Sequence, residues 1–143
     1  MSFKTILFAA IFSTVAAATS FAASPTVIQV SLTGEGGSDM HIKLDQSKIK
    51  AGKVEFNVTN EAKTESHEMV LVKLKSADQT IPVLTDKHRI DESKVKSLGE
   101  VEGLEPGEHG KLTADLRPGS YQLLCNIKSH YESGMHTILT ITK

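Results

Sequence analysis

Three side chains near the C-terminus have the types and spacing of a metal site. Cys125, His130 and Met135 form a Cys-x4-His-x4-Met pattern, which places a thiolate, an imidazole and a thioether in one short loop. A second imidazole completes the donor set of a mononuclear copper centre: two His and one Cys in a trigonal arrangement, with a long, weak axial Met. His67, in Glu65-Ser66-His67-Glu68-Met69-Val70-Leu71-Val72, is the best candidate for it. Taken singly, each residue has a plainer explanation. A lone Cys often serves as a small buried hydrophobe, and a Met entering a strand is commonly core filler. A histidine in a loop is more often solvated than bound to metal. The signal is the conjunction, because Cys125 is the only cysteine of the chain.

Those donors need a rigid frame, and the sequence supplies short strands separated by turns. Residues 26–33 and 40–44 alternate apolar and polar side chains, and Val54, Phe56 and Val58 give the clearest alternation. Residues 68–74 form another strand with His67 at its N-terminal edge. Strands follow at 97–102, 110–116, 121–126 and 137–142, with Glu105-Pro106-Gly107 and Arg117-Pro118-Gly119 as turns. About eight short strands at regular spacing point to an all-β Greek-key sandwich. Residues 76–96 break the pattern and are expected to be a polar excursion with one short helix. Alternation puts Tyr121, Leu123 and Cys125 on one face, so the sulfur points inward with Leu123. Gly134 is positioned to relax the backbone just before Met135. His136 alternates away from Met135. His41, beside Met40, is a candidate for a second, looser copper site and is more simply a solvated strand residue. His88 and His109 lie in polar segments.

The first residues read as a secretory signal. Lys4 gives a positive start, residues 5–18 are apolar, and Ser20-Phe21-Ala22 offers the small residues a signal peptidase requires. We assign 1–22 as signal peptide and 23–143 as one exported, soluble domain in the periplasm. An exported chain with one cysteine cannot close an intramolecular disulfide, and metal ligation is one way to occupy the thiol. The balance of 16 Lys and Arg against 17 Asp and Glu gives no basic footprint for nucleic acid. Aromatics are too sparse for a base-stacking platform. No later run is long and apolar enough for a membrane anchor.

Residues 49–60 (Ile-Lys-Ala-Gly-Lys-Val-Glu-Phe-Asn-Val-Thr-Asn), Ser66-His67-Glu68, and the stretch from Tyr121 through Cys125, His130 and Gly134 to Met135 together resemble the cupredoxins, the plastocyanin and azurin family of blue-copper proteins. The resemblance covers essentially the whole exported part. It implies one copper ion, with His67, Cys125 and His130 as equatorial ligands and Met135 as the axial one. It implies a one-electron carrier rather than an enzyme, meeting redox proteins transiently, and it implies a monomer. Two alternatives share these residues: a periplasmic protein that binds copper for tolerance or hands it to an acceptor, and a structural zinc site using Cys125 with three histidines. Two positions depart from the family. Glu68 stands where plastocyanin and azurin have Asn, and Lys128-Ser129 where the family often has Pro-Gly.

Overall fold

A computed structural model describes residues 24–143. The signal peptide assigned to 1–22 and its boundary with 23 lie outside the described residues. The strands are β1 (Thr26–Glu35), β2 (Ser38–Leu44), β3 (Lys48–Lys50), β4 (Gly52–Asn60), β5 (His67–Lys73), β6 (Val83–Leu84), β7 (Arg89–Ile90), β8 (Lys96–Leu104), β9 (His109–Leu116), β10 (Gly119–Leu124) and β11 (His136–Thr142). One sheet runs β2-β1-β4-β9 and the other β3-β11-β10-β5-β8, with β6 and β7 as a separate hairpin. The β1–β4 and β3–β11 pairs are parallel, and the others are antiparallel. All eight expected strands are present, and β3, β6 and β7 are short additions.

Alternation builds the main core. Val54, Phe56 and Val58 of β4 face Met69 and Leu71 of β5 and Tyr121 and Leu123 of β10 across the sandwich. Two strands do not alternate. Every residue from Met69 to Val72 is buried, and so is every residue from Tyr121 to Leu124. A near-continuous apolar run needs cover on both faces. Residues 76–96 supply it: Ile81 and Ile90 pack with Val70, Val72, Leu74 and Leu124 in a second cluster. The excursion expected to be polar is therefore a lid with its own apolar side. It carries the β6–β7 hairpin and a single 3-10 turn at Glu92–Lys94, capped by the Asp91 side chain accepting from the Ser93 N–H.

β5 and β10 are antiparallel neighbours, with Leu124 opposite Val70. His67 at the start of β5 and Cys125 just past the end of β10 thus lie at the same end of the sheet.

Candidate metal centre

The strand order brings His67, Cys125 and His130 together. His67 and Cys125 are fully buried, and His130 keeps 7% of its surface exposed. The two histidine Nδ1 atoms are 3.3 Å apart, and His130 Nδ1 is 3.4 Å from Cys125 Sγ. All three donor atoms lie within 4.8 Å of one another. Two bonds of about 2 Å from one first-row metal ion, spread trigonally, put nitrogen donors about 3.5 Å apart. The spacing matches a single ion at the centre of the three. Met135 is fully buried in the same core cluster as Cys125. Soft sulfur with imidazole is a donor chemistry that suits copper in both oxidation states, so the residues present fit that metal.

The orientation of His67 is set from behind. Its Nε2 lies 3.3 Å from the carbonyl oxygen of Gly34. A carbonyl only accepts, so Nε2 carries the hydrogen and Nδ1 turns its lone pair toward His130 and Cys125. Gly34 has φ +130, and a Cβ there would lie 2.8 Å from the Met40 Cα. Another side chain at that position would displace the carbonyl that steers the imidazole.

The loop between the strands is ordered by its own backbone. Cys125 N–H donates to the Met135 carbonyl, and Met135 N–H donates to the His130 carbonyl, both at 3.0 Å. Gly134 takes φ +95, the left-handed conformation expected for it just before Met135. Ser129 also sits in the left-handed region, at φ +71, a conformation that favours glycine.

Burial keeps the three groups neutral in the absence of metal. It pushes the Cys125 thiol up to about 11, opposed by main-chain bonds from Glu68 and Ile127 that favour the thiolate. Burial also lowers both His67 and His130, and the neighbouring His67 lowers His130 further. An uncharged thiol and two uncharged imidazoles leave a metal ion to displace a single proton, from sulfur. The Glu68 carboxylate accepts from the Asn126 N–H at 2.9 Å. The bond links β5 to the residue after Cys125.

Three contributors carried little or no sequence signal. Gly34 acts through a carbonyl. Asn60 is fully buried, and its side chain donates to the Glu65 and Leu104 carbonyls and accepts from the Ala62 N–H, which shapes the turn leading into His67. Asn126 is buried, and its side chain accepts from the Ile90 N–H at 2.7 Å and donates to Glu92 at 2.6 Å. With the Ser129 N–H bonded to the His88 carbonyl and the His88 ring paired with Glu132, the lid is tied to the donor loop at four points. A polar residue directly after a buried Cys was the one available hint.

The remaining histidines are elsewhere. His136 is exposed, turned toward the Tyr131 ring and Gln122. His88 pairs with Glu132, and His109 with Thr59. Met40 is buried while His41 is exposed, so the two lie on opposite faces of β2 and do not converge as a second site. Among the described residues, the cluster around Cys125 holds two histidines, whereas a zinc site built on one cysteine and histidines alone needs a third.

Neither a family model nor a curated protein sequence matches the chain. Solved structures do. Dithionite-reduced auracyanin from the photosynthetic bacterium Roseiflexus castenholzii is 20% identical with a TM-score of 0.57, over 85% of this chain and 100% of that one. Auracyanin B is 20% identical with a TM-score of 0.58, over 86% and 94%. Rusticyanin from Thiobacillus ferrooxidans is 12% identical with a TM-score of 0.60, over 85% and 80%, and another rusticyanin structure is described as that of a copper protein. At such identities the likeness speaks for the fold. Two sheets, strand ends that converge on one pole and alignment over most of each chain together identify the architecture: this chain has the cupredoxin fold.

Proposed function

We propose that the chain binds one copper ion through His67, Cys125, His130 and Met135 and serves as an exported one-electron carrier, not an enzyme. The observation that carries this is the convergence of three buried donor atoms of which one, on His130, belongs to a residue that reaches solvent. Copper held there supplies a one-electron couple between its two oxidation states. The protein's part is to keep the donor positions the same in both. The Gly34 carbonyl fixes the His67 ring, two main-chain bonds close the loop from Cys125 to Met135, and the lid restrains Asn126 and Ser129. Full burial of His67, Cys125 and Met135 excludes water from three of the four donors. The edge of His130 is then the route to a partner, through a small, transient contact of the kind electron carriers make. Rusticyanin, a copper protein, and auracyanin, solved in a dithionite-reduced form, share this fold, which supports the proposal.

The test has two arms. Cu(II) is titrated into metal-free protein and into Cys125→Ser, and absorption is recorded. An intense thiolate charge-transfer band is expected in the first alone. Equal, weak absorption in both would remove the thiolate from the site. The copper form is then reduced beside a modest excess of a Cu(I) chelator. A carrier keeps its metal and cycles reversibly. Rapid loss to the chelator without a stable couple would make the chain a copper-delivery protein instead.

A further inference from the structure

The metal centre occupies one end of the sandwich, and a second chemical feature occupies the other. Six residue steps along β5 separate His67 from Lys73, about 20 Å at ~3.3 Å per residue. There Lys73 stands directly opposite Lys96 of β8. Like charges paired across strands are destabilising. Lysines on an edge strand deter edge-to-edge association, which accounts for Lys96 on β8. It does not account for Lys73, because β5 is paired on both sides, with β10 and β8; the Lys73 ammonium lies over the Tyr121 ring, 5.6 Å from its centroid, a contact that leaves its charge without a carboxylate partner. The two lysines border an open cleft of about 670 Å³, whose wall also includes Lys75 and Lys94, with Leu74 and Val95 as aliphatic lining. A second depression shares Lys73 and Lys96 and adds Arg117 and Asp115. Five cations thus face one carboxylate, and that carboxylate is opposite Lys53 across the β4–β9 pair. Among the described residues the ion pairs are His88–Glu132 and Lys111–Glu55. Among the described residues, none of the five cations is within ion-pair distance of a carboxylate.

We propose that this cleft docks an acidic peptide segment of a partner protein, at the pole opposite the metal centre. Concentrated charge of one sign calls for a ligand of the other, and a cleft with low-dielectric walls focuses that field. The concave shape and aliphatic lining suit an extended chain, whose carboxylates meet the lysines while its stems lie on the half-buried Val95. A flat lipid surface would touch the rim alone. Docking there leaves His130 uncovered, so a bound partner holds the protein without closing the route to the metal. The proposal does not depend on the metal assignment.

The test follows amide shifts of the ¹⁵N-labelled protein, metal-free and copper-loaded, on titration with a hexaglutamate peptide at low and physiological salt. Shifts confined to residues 73–75, 93–98 and 115–121 are expected, with affinity that falls as salt rises. The double variant Lys73→Gln/Lys96→Gln should bind about tenfold more weakly, the loss of two partly screened charge contacts, while Lys43→Gln on β2 should bind normally. Lys43 and Lys96 are exposed and Lys73 is half-buried, and glutamine keeps part of the aliphatic stem at each position, so each variant is expected to fold. Absence of peptide binding at low salt overturns the proposal, as do shifts outside the cleft or equal weakening by Lys43→Gln. Inorganic phosphate and phosphatidylglycerol vesicles serve as the other probes. Binding of either through the same lysines, with the peptide inert, overturns it as well.

Discussion

His67 and Met135 are both buried, yet the proposed site asks different things of them. His67 is one of the two imidazoles, steered by a carbonyl, and Met135 is a thioether brought up by the loop backbone. A strong equatorial donor and a weak axial one differ in what their loss does. Met135→Leu is expected to keep copper and shift the reduction potential. His67→Ala is expected to lose affinity or to admit an added ligand such as azide, seen as a changed absorption spectrum. Reversed severities would exchange the two roles. Ser129 permits a simpler test. A non-glycine residue in the left-handed region costs about 1 kcal/mol, so Ser129→Gly should raise stability by roughly 0.5 kcal/mol after its greater unfolded-chain entropy is subtracted. The denaturant midpoint of the metal-free protein measures it, and a lowered midpoint would show that Ser129 makes a contact that outweighs the strain. At this scale the sequence was informative wherever chemistry resides in side chains close along the chain. Cys125, His130 and Met135 announce themselves by spacing, and His67 by standing before an apolar run. Gly34 left no trace, because a main-chain carbonyl has no identity of its own.

The lid is the element whose role was hardest to read. Residues 76–96 are polar in most positions, and their apolar contribution comes from isolated residues such as Ile81 and Ile90 that show no period. The eight main strands were legible because alternation repeats, whereas two-residue strands such as β6 and β7 are too short to show any. The apolar run of β5, and that of β10 interrupted only by Gln122, require something to cover their second face. The lid also restrains the donor loop through Asn126, whose side chain satisfies the Ile90 N–H and the Glu92 carboxylate. Asn126→Ala strands a buried main-chain donor, which costs about 1–3 kcal/mol. The variant is expected to unfold at lower denaturant and, once loaded, to yield copper to a chelator faster than the parent. Unchanged stability with unchanged retention would mean that the lid lies on the loop without holding it.

For the molecule as a whole, the metal-free protein depends on keeping its donors neutral. His67 and His130 are both held below the ordinary imidazole value, chiefly by burial. As pH falls through about 6.5 the unfolded chain takes up protons that the folded chain refuses. Stability is therefore full above that point and is lost as pH falls toward the lowered folded values. The thiol works in the opposite sense: with a folded value of about 11, its contribution is full below about 8.5 and is lost as pH rises. The thermal midpoint of metal-free protein should decline on both sides of a plateau near neutrality, and His130→Gln should flatten the acid limb. A midpoint that climbs between about pH 7 and 5 would contradict neutral burial. The parallel pair of β3 with β11, Ile49 opposite Ile141, has a further consequence, for the order in which the molecule forms. The partners lie far apart in sequence, and closing so long a loop is slow. Strand β11 is also the last along the chain among the described strands, and its docking completes the wall on which Met135 is carried. Cys125 and His67 cannot meet under a closed loop before that strand arrives. Folding should then precede metal capture, so refolding from denaturant should proceed at the same rate with and without copper, the spectrum appearing only after the backbone signal has settled.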